Sequence, residues 1–169
     1  MQVLFTTIGD RRFALDCAEV LEVLPVVSHR PAGTGPAWLL GLFNLRGTLV
    51  PLVDLSRIVD SAPTATRMGA RIVVMRLDAE LFDATLPDGA ANRVGLLVPE
   101  IVGPFARDFS QPGAHPGFSF AGAPHLGPTI ADDDGLVQLL RCRRILEGDS
   151  VLRELPRTAA NGHPDWPSP

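Results

Sequence analysis

The residue types able to do chemistry are few in this chain, and their spacing brings none of them together. His115 and His125 flank a stretch rich in glycine, proline and phenylalanine, and Asp132-Asp133-Asp134 follows it. A metal centre needs His, Cys or carboxylate ligands converging at short spacing, and no such pair stands at i, i+4, so no metal is expected. The three aspartates lack the alternating oxygen ligands and distant Glu of a calcium loop and read as a solvated turn. Cys17 and Cys142 are far apart with no C-x-x-C, which makes them buried small hydrophobes. There is no G-x-S-x-G, and Gly33-Thr34-Gly35 runs into Pro36 instead of opening a phosphate-binding helix. No pair of carboxylates is set up for acid–base work, so neither an enzyme nor a cofactor is expected. One residue stands apart. Arg46 lies between two apolar runs, next to Gly47. Two readings of it stay open: a turn arginine reaching water, or a guanidinium held by a carbonyl or carboxylate and presented to a partner.

The elements that must carry Arg46 are short strands. Glycine and proline each number 16 in 169 residues, too many for a helical bundle, and apolar runs of strand length lie between them. Val3 to Ile8 and Arg12 to Asp16 form a hairpin about Gly9-Asp10. Val20, Val23 and Leu24 fit a helical turn stopped by Pro25 or a strand. Residues 28–37 read as loop. Two strands follow, about 41–45 and 48–53, joined at Arg46-Gly47, and Pro51 requires an edge or a bulge in the second. Leu55 to Val59 is a helical turn, and 60–69 a linker. A second run of strands covers Arg71 to Leu77, Arg93 to Val98, Ile101 to Phe105 and Leu136 to Leu140. Residues 78–92 read as a hairpin tip, 106–130 show no period, and Cys142 to Leu146 is a closing turn. Residues 156–169 hold four prolines and read as a disordered tail. A Gly-led apolar run ending in Val-Pro occurs at 41–51 and again at 95–99, as two similar barrels would produce.

Composition removes other classes. All 15 basic residues are arginine and the net charge is −4, which gives no electrostatic footprint for nucleic acid. Without lysine a P-loop is excluded. No apolar run approaches the length of a membrane span, and the N-terminus has no charged region of the kind a secretory signal carries. Two lone cysteines fit a reducing cytoplasm.

Residues 41–55, Gly41-Leu-Phe-Asn44-Leu45-Arg46-Gly47-Thr-Leu-Val-Pro51-Leu-Val-Asp54-Leu55, resemble the signature of CheW-like coupling proteins of bacterial chemosensory systems. Phe13 to Asp16, Val20 to Leu24, Pro36-Ala37-Trp38 and Val94 to Val102 are similar to the family's flanking segments, so the resemblance covers about residues 3–147. It implies an all-β fold of two SH3-like five-stranded β-barrels packed together, with short helical turns and no catalytic activity. The partners it implies are the regulatory domain of a CheA-type histidine kinase and the cytoplasmic tip of a methyl-accepting chemoreceptor. It implies a cytoplasmic adaptor associated with membrane-bound receptor arrays, itself inserted in no membrane. Carried onto this sequence, Asn44, Arg46 and Gly47 are the partner-facing positions, and the apolar Val23 and Leu24, near the barrel ends, are secondary candidates. The expected division is a single domain over 1–155. One barrel takes about 15–70 plus 136–147, the other about 71–135, and 156–169 is tail. Arg141, Arg143 and Arg144 replace an acid expected near the end. The stretch from Leu126 to Gln138 resembles variants from alternative, surface-sensing operons, so the output need not be flagellar. The competing class is a small β-barrel that binds ligand or nucleic acid, for which a basic aromatic groove would be the sign.

Overall fold

The computed structural model describes residues 1–33, 35–76, 93–111, 113–116 and 123–145. Eleven strands appear there: β1 (Gln2–Ile8), β2 (Arg11–Asp16), β3 (Val20–Pro25), β4 (Arg30–Pro31), β5 (Leu39–Leu45), β6 (Thr48–Asp54), β7 (Arg71–Arg76), β8 (Arg93–Val98), β9 (Val102–Ala106), β10 (Leu126–Asp132) and β11 (Gly135–Leu140). Helix α1 (Leu55–Val59) and a 3-10 turn at Cys142–Arg144 complete them. Val20 to Leu24 is a strand, which resolves that segment in favour of its valines.

The strands form two sheets. One has the order β10-β11-β2-β1-β9, the other β3-β7-β8-β6-β5-β4. The chain is all-β, in the two small barrels that the sequence resemblance implies, with β4 adding a two-residue sixth strand to the second. Three clusters of buried side chains account for the arrangement. Val3, Phe5, Ala14, Phe109, Ile130 and Val137 fill the five-stranded sheet. Phe43, Leu45, Val50, Leu52, Ile72, Val74 and Leu97 fill the six-stranded one. The largest cluster lies between them and draws on both, from Leu4, Ile8, Phe13 and Leu15 on one side to Val53, Leu55, Val73, Met75 and Leu96 on the other. Alternate residues of β1 thus serve two cores, Val3 and Phe5 one and Leu4 and Ile8 the other.

The partition differs from the expected ranges. Strands β3 to β8, residues 20–98, make one sheet, while 2–16 and 102–140 make the other. The expected division at 15–70 plus 136–147 and 71–135 cuts across both. Two parallel pairings decide the matter, β11 on β2 and β6 on β8, and each joins strands distant in sequence. The Gly41 and Gly95 echo therefore lies within one sheet and marks no second barrel. Gly95 has a local reason: a Cβ there would stand 2.6 Å from Phe43 and 2.9 Å from Ile72. Pro51 sits in an interior strand, but the ladder from β6 to β8 begins only at Leu52, so its missing N–H costs no bond on that side. Strand β4 occupies a segment that reads as loop, and β10 begins in the stretch that shows no period. Leu77, residues 78–92, Leu146 and the tail 156–169 lie outside the described residues.

Candidate functional site

The β5–β6 hairpin turns in two residues, because Leu45 and Thr48 are directly opposed. Arg46 has φ 50° and Gly47 φ 89°, the left-handed pair that a type I′ turn demands and that matches the twist of the flanking strands. Glycine suits the second position; arginine at the first is strained. The turn is locked from below, where the Gly47 N–H donates to Asn44 Oδ1 at 2.7 Å. The Asn-Leu-Arg-Gly order thus builds the tip: an asparagine that caps it, a leucine buried beneath, an arginine thrown outward and a glycine that closes the turn.

Arg46 is held from outside its own hairpin. Its two terminal nitrogens donate to the two carboxylate oxygens of Glu22, at 2.9 and 2.7 Å. This is the bidentate fork that guanidinium and carboxylate geometry favours. The hydrogen bond to Glu22, then its charge, holds the guanidinium pKa above its ordinary value. Even so the Arg46 side chain is 74% exposed while Glu22 is 21% exposed. β3 and β5 are separated by three other strands in their sheet, so this pair reaches across the gap where the sheet curls back on itself. Both readings of Arg46 therefore have a part in the geometry: it is carboxylate-held, and most of its side chain reaches water.

The remaining predicted positions divide. Asn44, Arg46 and Gly47 are exposed together at the tip. Val23 and Leu24 point to opposite faces, since burial alternates along β3. Leu24 packs against the core of the six-stranded sheet. Val23 faces outward and is 40% exposed, in line with Leu21, and Val26 and Val27 beyond the strand are exposed as well. β3 is an edge strand, so this apolar row borders unpaired backbone. Sequence reasoning missed Glu22 as a partner of Arg46. Its signal was an acid at an inward position of an alternating strand, between Val20 and Leu24.

Beneath the hairpin, Asp54 is 2% exposed. Its carboxylate caps α1 by accepting from the N–H groups of Ser56 and Arg57, and it accepts from the N–H and hydroxyl of Thr64 at 2.9 and 2.6 Å. The last part of the signature is thus a staple between β6, α1 and the 60–69 segment.

Among the described residues no three His, Cys, Asp or Glu side chains are grouped to hold a metal, and no helix is long and apolar enough to cross a membrane. Burial pushes the Cys142 thiol well above its ordinary pKa, and burial followed by the Asp16 charge raises that of Cys17. Both shifts work against a reactive thiolate. Burial, then the charge of Arg11, lowers the His125 pKa.

The family model for the CheW-like domain matches residues 2–150. The chemotaxis protein CheW of Rhizobium meliloti (strain 1021) is 27% identical over 113 residues, covering 62% of this chain and 70% of that protein. The chemotaxis protein CheW of Helicobacter pylori (strain ATCC 700392 / 26695) is 33% identical over 55 residues, about a third of each chain. Among solved structures, the crystal structure of scaffolding protein TtCheW from Thermoanaerobacter tengcongensis superimposes with a TM-score of 0.70 at 17% identity, covering 88% of this chain and 93% of that one. At that identity the last likeness speaks for the fold.

Proposed function

This chain belongs to the CheW-like domain family, and we propose that it is a non-catalytic adaptor that couples chemoreceptors to a CheA-type histidine kinase. The scaffold role in chemosensory signalling comes with the family. The finer assignment is to a kinase regulatory domain and a receptor's cytoplasmic tip as direct partners, and to the cytoplasmic face of receptor arrays as the place of action. The observation that carries it is the Asn44–Arg46–Gly47 tip, a rigid turn that displays a carboxylate-held but solvent-open guanidinium. Val23 and its apolar neighbours on the edge strand supply the adjoining surface, and Leu24 supports that strand from within. A net charge of −4 disfavours the alternative of a nucleic-acid-binding barrel.

The test is binding of the purified chain to the regulatory domain of the kinase, and to a receptor-tip fragment, from the same genome. The native chain should bind both, and Arg46→Ala should weaken at least one by about tenfold or more, as loss of a partner-facing charge does. Its circular dichroism should not change. Absence of binding to either partner defeats the adaptor reading; undiminished binding by Arg46→Ala defeats the placement of the site.

A further inference from the structure

The five-stranded barrel carries a cavity of about 290 Å³, beside β1, β2 and β9, that no part of the adaptor reading uses. Phe5 and Arg12 of the first hairpin, Glu100 ahead of β9, Phe105 in it, Arg107 beyond it and Asp134 of the β10–β11 turn all line it. Its floor is aromatic. Phe5 and Phe105 stack with ring centroids 5.3 Å apart. The Arg12 guanidinium lies over Phe5 at 5.1 Å, and that of Arg107 over both rings at 5.2 and 5.7 Å. A guanidinium stacked in this way keeps its N–H edge available to an acceptor in its own plane.

Asp132 takes the strongest of these edges, accepting from Arg12 at 2.6 Å. One terminal nitrogen of Arg107 donates to the Ala106 carbonyl at 2.9 Å, and what is left over is loosely held. One terminal nitrogen of Arg12 meets Asp134 only at 3.5 Å, and one of Arg107 meets Asp132 only at 3.5 Å. Asp134 is 79% exposed, with no closer partner for its carboxylate than that contact. Glu100 is exposed, and its side chain makes no hydrogen bond or ion pair among the described residues. The mouth therefore combines an aromatic floor, two under-used donors and two under-used carboxylates. A bare anion is repelled by Glu100 and Asp134, and a bare cation by Arg12 and Arg107. A molecule bearing both charges close together on an apolar body satisfies every group.

We propose that this mouth binds a small zwitterion with an apolar side chain, of the α-amino acid class. Its carboxylate lies on Arg12 and Arg107, its ammonium group on Glu100 and Asp134, and its side chain on Phe105. The site is on the other barrel from the Asn44–Arg46–Gly47 tip and stands independently of the adaptor role.

Isothermal titration of the full chain with leucine and phenylalanine tests this, alongside their N-acetyl derivatives, which lack the cation, and their amides, which lack the anion. The free amino acids should bind, and each derivative should bind about tenfold or more weakly, since each forfeits a charge-assisted contact. Glu100→Gln, at an exposed position with no internal bond, should weaken leucine by about tenfold, while Arg46→Ala should not change it. No binding of either amino acid up to about 10 mM, a free energy too small to matter, overturns the proposal. So does equal binding of the acetyl derivative or of the amide, which would make this a simple anion or cation site. An unaltered affinity in Glu100→Gln overturns it as well.

Discussion

Replacing Asp54 by alanine separates the part of the signature that builds the tip from the part that meets a partner. The carboxylate is 2% exposed and accepts four hydrogen bonds, two at the start of α1 and two from Thr64. Not all are lost outright. The Thr64 hydroxyl keeps Ser56 Oγ at 2.6 Å, whereas Arg57, half-buried, also loses the ion pair of its Nε with Asp54 at 3.5 Å. The N–H groups of Ser56 and Thr64 belong to buried residues and have no such recourse. Losing a helix N-cap costs about 1 kcal/mol, and a stranded buried N–H at Thr64 costs about 1–3 kcal/mol. The sum, about 2–4 kcal/mol, is a large part of the roughly 5–15 kcal/mol a domain has. With a urea slope of about 2 kcal/mol/M, the unfolding midpoint should fall by about 1–2 M. Circular dichroism against urea measures it. A fall of less than about 0.5 M would refute the reasoning, because water or a neighbour would then be serving those N–H groups. Asp54→Asn should lie between, since the amide keeps one acceptor but turns a donor toward donors.

Four further outcomes follow from the same geometry. Arg46→Ala should leave the urea midpoint nearly unchanged, because an ion pair whose arginine is mostly exposed contributes little to stability; a large loss would make Arg46 a brace for the curl of the sheet. Gly95→Ala should cost about 1–3 kcal/mol by overpacking against Phe43 and Ile72, measured by thermal unfolding. Gly41→Ala should cost more than Gly95→Ala, since its Cβ would run into the Arg30 carbonyl of the backbone, which cannot rotate away, at a φ of 145°. For Asp132, burial raises the carboxyl pKa, but the hydrogen bond from Arg12, the Asp134 N–H, the Arg12 charge and Arg107 outweigh it, so the net shift is downward from 3.8. A depressed carboxyl stabilises the fold above its unfolded pKa and loses that contribution as pH falls through the folded value. Asp132→Asn should therefore be less stable than the native chain at neutral pH and converge with it below about pH 3.8 in urea titrations.

The β5–β6 hairpin was legible because everything that makes it lies within fifteen residues: alternating apolar positions, a glycine for the turn, an asparagine to cap it. Arg46 could be singled out for the same reason. Its partner is harder to find: an acid at an inward position of β3 marks Glu22 as paired, but its contact with Arg46 crosses the closure of the sheet, which no local pattern records. The barrel assignment failed on the same ground. The parallel pairing of β11 with β2 places Leu140 opposite Leu15, a match that no turn sequence records. β10 was hidden by Gly127 and Pro128, residues that usually end a strand. Gly127 is there because a Cβ would approach the Leu139 carbonyl at 2.8 Å. Val23 and Leu24 were named as a pair, but a strand's two-residue period sends neighbours to opposite faces, one to solvent and one to the core.

The nesting of one barrel inside the other in sequence has a consequence for synthesis. All strands of the six-stranded sheet lie between residues 20 and 98, so that sheet has every strand it needs once this stretch has left the ribosome. The β1–β2 hairpin, made first, must wait for β9 to β11 before its own sheet can close. During that interval Val3, Phe5 and Ala14 lack the Phe109, Ile130 and Val137 that cover them in the finished protein. Exposed apolar strands on a growing chain invite pairing with other chains. The hairpin is at greatest risk from aggregation between the emergence of residue 16 and that of residue 140, so slow translation within that interval should lower the yield of folded protein more than slow translation after it.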